Sequence, residues 1–322
     1  MSLPKPSQLH QLTSLPSGHS RTLLRSILAI ETAEGAGAVV RRSIGTQGLK
    51  NFDPFLMLDH FKVGMGAGFP DHPHRGQATV TYMLEGQFQH EDFAGHSGLI
   101  SPGDLQWMIA GKGIVHAEMP VHEPGGPDPT GLQLWIDLPK EHKMVPPQYQ
   151  ELRDEHIPRV ELESGVQVKV ISGISHGVES PVKHLGGCWY FDILLPRPPS
   201  RVFQAIPKGW NAFVYGLEGK AKFGTNSTDN GTTATAEAFH TTVLSAKDDE
   251  EGIEITNVDP KGGPVRLVLI AGEPLNQPVV QYGPFVMNTK AEIQEAFYDY
   301  QNGRNGFEQA GKWASTIGGR QR

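Results

Sequence analysis

The sequence predicts an all-β protein, built from two antiparallel barrels or sandwiches and ending in a short α-helix. Three observations carry that expectation. Short runs of strand composition recur at close spacing, broken by turns, and the chain holds 38 Gly and 25 Pro among 322 residues. That length suits two domains of roughly 150 residues each. The halves also repeat one another: Gly76, Tyr82, Leu84, Glu85 and Gly86 recur at one constant offset as Gly209, Tyr215, Leu217, Glu218 and Gly219. A match of this kind marks a duplicated unit.

The elements follow in order. Residues 1–24 contain Lys5 and Arg21 but no acid, and lack the apolar core of a secretory signal. They are expected to form a disordered tail, with a mitochondrial presequence as the alternative. An N-terminal domain is expected over 25–145, with strands at 36–41, 79–84, 86–90, 105–109, 115–119 and 132–138. Turns such as Ser101-Pro102-Gly103 and Gly111-Lys112-Gly113 separate them. Pro146-Pro147 and the charged run 151–155 read as a connector, opening a second strand-rich domain over 146–288. Within it, 225–233 reads as a flexible hairpin insertion and Asp248-Asp249-Glu250-Glu251 as a solvated turn. In the final segment, 289–322, Ala291, Ile293, Ala296, Phe297 and Tyr300 recur at helical spacing. Thr289 with Glu292 three residues on offers a capping box.

Composition excludes several classes. Net charge is −7, and no basic tract in the body of the chain exceeds Arg41-Arg42. Direct binding to a nucleic-acid backbone needs clustered Lys and Arg and is not expected. The single cysteine, Cys188, forbids an internal disulfide and fits a reducing compartment. Its apolar setting, Gly187-Cys188-Trp189-Tyr190-Phe191, predicts a buried, inert thiol. No apolar run approaches the roughly 18 residues needed to span a bilayer.

Seven of the 14 histidines fall within residues 60–122. Asp71-His72-Pro73-His74-Arg75-Gly76 is answered later by His116-Ala117-Glu118. On a strand, residues two apart point to one face, so His72 and His74 project together, as do His116 and Glu118. Two such strands side by side bring three imidazoles and a carboxylate to one point. That donor set suits Fe(II), Ni, Cu or Zn, with coordination positions left open. A structural zinc site would instead close its shell with cysteines that the chain lacks.

The spacing Gly66-x5-His72-x-His74 fits the first half of the cupin motif. Phe69-Pro70-Asp71-His72-Pro73-His74-Arg75-Gly76, Gly103-Asp104-Leu105-Gln106-Trp107-Met108 and Gly113-Ile114-Val115-His116-Ala117-Glu118-Met119-Pro120 resemble the pirin family. So do Gly272-Glu273-Pro274-Leu275 and Gly283-Pro284-Phe285-Val286-Met287-Asn288. The resemblance runs from about Arg25 to Gly319. It implies two cupin jelly-roll barrels with one Fe(II) in the N-terminal barrel, ligated by His72, His74, His116 and Glu118. It implies cleavage of flavonols such as quercetin by O2 with release of carbon monoxide, Glu118 taking the proton of the flavonol 3-hydroxyl. It implies, alternatively, a nuclear co-regulator that contacts transcription factors. The expected location is the cytoplasm, the nucleus or both.

One residue departs from the pirin-like pattern: Ala78 stands four positions after His74, where Glu is frequent. The repeat places Ala205 opposite His72 and Pro207 opposite His74. Neither ligates a metal, so the second barrel is expected to carry no site. His240 is then expected to be a surface or strand histidine and not a ligand. His90 and His96 are expected at the barrel rim, and these two with His60 and His122 are expected to be exposed, with a role beside the ligands or substrate as the alternative. Arg75 is expected as a structural pin, Trp107 and Met108 in the core, and Gln106 and Phe69 at the mouth of the site.

Overall fold

The computed structural model describes residues 9–12, 18–224 and 235–318. Strands dominate it, as cupin-type sheets with a single C-terminal helix among the described residues, and the expected all-β class holds. No helix among these residues is long and apolar enough to cross a membrane.

The chain divides into two compact units, and the division is discontinuous. One contains residues 30–154 together with 275–322; the other contains 1–29 together with 155–274. Cuts at 145 and 288 were expected from the sequence. The difference arises because each unit takes a strand or helix from a distant part of the chain. Leu23–Leu28 pairs antiparallel with His240–Leu244, and Leu9–Leu12 runs parallel to Arg159–Leu162. Residues 18–24, expected in the tail, are held: the buried Arg21 donates to the carbonyls of Trp210 and Pro207 at 2.7 and 2.9 Å. Residues 1–8 and 13–17 of the expected tail, and the expected insertion at 225–233, lie outside the described residues.

In the 30–154 unit a seven-stranded sheet runs in the order Gln148–Leu152, Leu105–Ile109, Gln77–Glu85, Thr130–Asp137, Phe55–Lys62, Ala38–Ile44 and Ile30–Glu34. A four-stranded sheet, Phe69–His74, Ile114–Val121, Gln87–Asp92 and Ser97–Ile100, makes the second wall. Gln77–Glu85 (QATVTYMLE) is a good strand because Thr, Val and Tyr fit a pleated surface. Phe61, Met83, Phe88 and Ile100 form one apolar cluster of this unit, and Trp107 and Met108 are buried as expected.

The expected helix spans Lys290–Asn302. Thr289 caps it, accepting from the Glu292 amide, while Glu292 reaches back to the cap: the capping box is formed. Gly303 closes it in the left-handed region at φ 61°. Its apolar face, Ile293 and Ala296, packs with Val115, Phe285, Met287 and Phe307. A fully buried isoleucine such as Ile293 contributes about 1.5–3 kcal/mol.

The other unit has an eight-stranded and a four-stranded sheet among its described residues. Its interior is aliphatic and aromatic, with Val168, Phe191, Val202, Val214 and Leu269 inaccessible. Cys188 is buried there, and burial pushes its thiol pKa up, as an inert cysteine requires. The acidic turn is only partly solvated. Glu250 is buried, where it accepts from Ser245 Oγ and the Lys247 amide.

Candidate metal centre

Phe69–His74 is an edge strand, paired among the described residues with Ile114–Val121 alone. This explains how it accommodates Pro70 and Pro73, which cannot donate to a ladder. The register sets His72 opposite His116 and His74 opposite Ile114, with an irregularity between His116 and Glu118. His72 and His116 therefore meet across the strand pair, and His74 joins them from two residues along.

The three imidazoles converge. Ring centroids lie 4.8 Å apart for His72 and His74, 4.4 Å for His72 and His116, and 5.0 Å for His74 and His116. One ring nitrogen from each falls within 4.8 Å of the others, and this is the one such group of His, Cys, Asp and Glu among the described residues. The Nε2 atoms of His72 and His116 are 3.0 Å apart. Two ligands about 2.1 Å from one ion, at a right angle, stand about 3.0 Å apart. His74 and His116 are each 1 % exposed. Burial first, then the neighbouring imidazoles, hold both pKa values well below the ordinary histidine range, so both rings are uncharged at neutral pH. His74 Nε2 is buried with no hydrogen-bond partner. An orphaned nitrogen beside two other imidazoles is what an ion-binding cluster requires.

Glu118 stands beside this group. Its Oε2 is 3.9 Å from His116 Nε2. Its two oxygens accept from Thr81 Oγ1 and Gln133 Nε2, each at 3.0 Å. Trp135 Nε1 in turn donates to Gln133 Oε1 at 3.0 Å and fixes that amide. Sequence reading missed Thr81, Gln133 and Trp135. The sequence shows only that Gln133 and Trp135 sit two apart on Thr130–Asp137, hence on one face; the pairing of Gln133 with Thr81 comes from the register.

His72, alone of the three, lines a cavity of about 590 Å³, together with Met57, Phe61, Phe69, Gln133 and Trp135. Arg42, clamped by Asp59 and Glu34, forms a charged part of the same wall. Phe69 lines the cavity as expected. Gln106 does not: it is buried and donates to Glu151 at 3.1 Å, because its strand pairs with Gln148–Leu152.

The remaining histidines take no place in the cluster. His60 is pushed down to about 4 by burial and by Arg41. His90 Nε2 lies 2.6 Å from a Glu151 oxygen, and His96 Nδ1 2.8 Å from Asp92. His90 is buried, which differs from the rim position expected for it. Arg75 is a structural pin. Its guanidinium meets Asp299 at 2.9 Å, donates to the carbonyls of Lys112 and Asn305, and stacks over Phe307. It thereby fastens the C-terminal helix beside the strand that carries the histidines. Ala78 is buried opposite Ile109 and Ile136.

Comparison with known proteins places this geometry. The family profile described as Pirin matches residues 37–136, and that described as Pirin C-terminal cupin domain matches 190–306. A pirin-like protein of Solanum lycopersicum is 52 % identical over 295 residues, covering 92 % of this chain and 96 % of its own. Pirin of Homo sapiens is 50 % identical over 303 residues, covering 94 % and 99 %. Among solved structures, a quercetin 2,3-dioxygenase from Acinetobacter baumannii superposes with a TM-score of 0.76 at 30 % identity, covering 89 % of this chain and 99 % of that one.

Proposed function

Since the chain belongs to the pirin family, with both of its domains present, we propose that it is a metal-dependent dioxygenase acting on flavonols such as quercetin. One Fe(II) per chain would be held by His72, His74, His116 and Glu118. The observation that carries the reading is the convergence of three ring nitrogens, one of them orphaned, with His72 lining a cavity large enough for a flat polyphenol. The likeness to a quercetin 2,3-dioxygenase supports the substrate class. Iron as the metal rests on the family resemblance.

An ion bound there would supply the redox chemistry that joins a flavonol to O2. The chain's own residues do the rest. Phe61, Phe69 and Met57 give the cavity an apolar wall that lies against the substrate rings and excludes water. Thr81 and Gln133 hold the Glu118 carboxylate in one orientation. Glu118 accepts the proton of the flavonol 3-hydroxyl, leaving the electron-rich anion that reacts.

The test is elemental analysis of the purified protein with a quercetin turnover assay. Near one iron per chain and carbon monoxide release on exposure to O2 are the expected results. Glu118→Gln is expected to retain much of the metal and lose most of the rate, on the order of 10²-fold or more. Parent-like turnover in that variant removes the carboxylate from the mechanism. Iron binding without turnover of several flavonols overturns the enzyme and favours the other role the resemblance implies, a co-regulator acting through protein contacts.

A further inference from the structure

The three histidines differ in what stands behind them. His72 Nδ1 lies 2.8 Å from the Pro70 carbonyl. A carbonyl only accepts, so His72 carries its proton on Nδ1 and its Nε2 is a lone pair facing the cluster. His116 Nδ1 is buried without a partner. His74 Nδ1 faces the side-chain amide of Gln77 at 2.8 Å. That partner is ambivalent, since an amide presents a donor at one end and an acceptor at the other.

With the Gln77 nitrogen toward the ring, the amide donates to His74 Nδ1. The ring proton then sits on Nε2, the nitrogen that a metal needs free. In this arrangement Gln77 Oε1 is buried with no partner, and so is His74 Nε2. The amide nitrogen has one further acceptor, the Pro284 carbonyl, at a long 3.4 Å. Turned end for end, the same amide offers Oε1 to an Nδ1–H. The His74 Nε2 lone pair then points at His72 and His116. The ring loses one proton at Nε2 and gains one at Nδ1, so its charge is unchanged.

We propose that Gln77 is a positioning residue for metal capture: its amide rotates between two orientations and sets which His74 tautomer is present, so that a divalent transition ion is bound only in the oxygen-inward state. The inference rests on the metal site of the functional reading and deepens it. The turn that carries Gln77 is rigid, so the amide and not the backbone must move. Gly76 has φ 78°, and a Cβ there would stand 1.9 Å from the Val286 carbonyl. The buried Lys143 ammonium ties the Gly76 and Val286 carbonyls together at 2.8 and 3.1 Å. Gln77 itself is 0 % exposed, so no solvent competes for its amide.

The experiment uses the full chain and zinc(II) as a diamagnetic probe. Nitrogen-15 spectra of the histidine rings, with and without zinc, report the tautomer of each. His74 is expected to carry its proton on Nε2 without zinc and on Nδ1 with it, whereas His72 keeps Nδ1–H throughout. Gln77→Leu removes the acceptor and is expected to weaken zinc binding by about 10- to 100-fold. Gln77→Glu, which only accepts, is expected to bind zinc at least as tightly as the parent. Parent-like affinity in Gln77→Leu overturns the proposal, as does Gln77→Glu binding no better than Gln77→Leu. An Nδ1 of His74 without a proton in the zinc-loaded parent overturns it with no variant needed, even if Gln77→Leu fails to fold. Zinc that leaves all three histidine spectra unchanged would instead sink the metal site itself.

Discussion

The two cupin units share a frame and fill it differently. In the 30–154 unit the edge strand brings His72 and His74 inward, and Gln77, Thr81, His116 and Glu118 are buried alongside. In the other unit the matching strand, Arg201–Ala205, ends on an exposed alanine, and Val168, Val202, Val214 and Leu269 fill the interior. Burying polar groups is costly unless they are partnered. The first unit offsets that cost with paired donors and acceptors and leaves a few nitrogens for a ligand. The second also buries polar groups, Arg21, Gln204 and Glu250 among them, but no group able to hold a metal appears among its described residues. One frame therefore carries a cluster of imidazoles in one unit and an apolar core in the other.

The largest expected break in this comparison is His74→Ala. It should abolish metal binding while the far-ultraviolet circular dichroism stays that of the parent, because apolar packing and not the ion holds the barrel. Full metal occupancy in the variant would remove His74 from the ligand set. The reciprocal change is Leu269→Ala in the other unit. There a cavity opens in a closed apolar core, and denaturant unfolding should show a loss of about 2–5 kcal/mol. Metal content should be unaltered; a parallel loss of metal would mean that the two interiors are coupled.

A smaller effect concerns pH. His60 belongs to the unit with the histidine cluster and stays neutral when folded down to about pH 4. The unfolded chain protonates it near pH 6.5. Between those values the unfolded state binds the extra proton, so stability falls as pH falls through the window, by at most about 3 kcal/mol. His60→Gln should flatten the dependence of unfolding free energy on pH over that range. An unchanged slope would show that His60 is protonated in the folded protein.

Some of this was legible in the chain. Period-two spacing placed His72 with His74 and His116 with Glu118, because strand geometry is local. The Thr289–Glu292 capping box and the helical stripe were legible for the same reason. The partners of these groups were not. Gln133 and Thr81 are separated from Glu118 by many residues and meet it only through strand register. Nothing near Gln77 in the sequence says that its amide would face His74 and not solvent.

The amino-acid sequence alone determined the fold class, the duplication, the family and the three histidines, since each is written in short motifs or in one regular offset. Tertiary structure alone decided which segments complete which unit. Strand pairing and helix docking join residues with no sequence proximity, as when Leu23–Leu28 pairs with His240–Leu244 or Arg75 meets Asp299. It also decided which ring nitrogen of each histidine faces the cluster. That choice belongs to the partner behind the ring, a carbonyl for His72 and an amide for His74, and a partner is fixed only when distant strands close together.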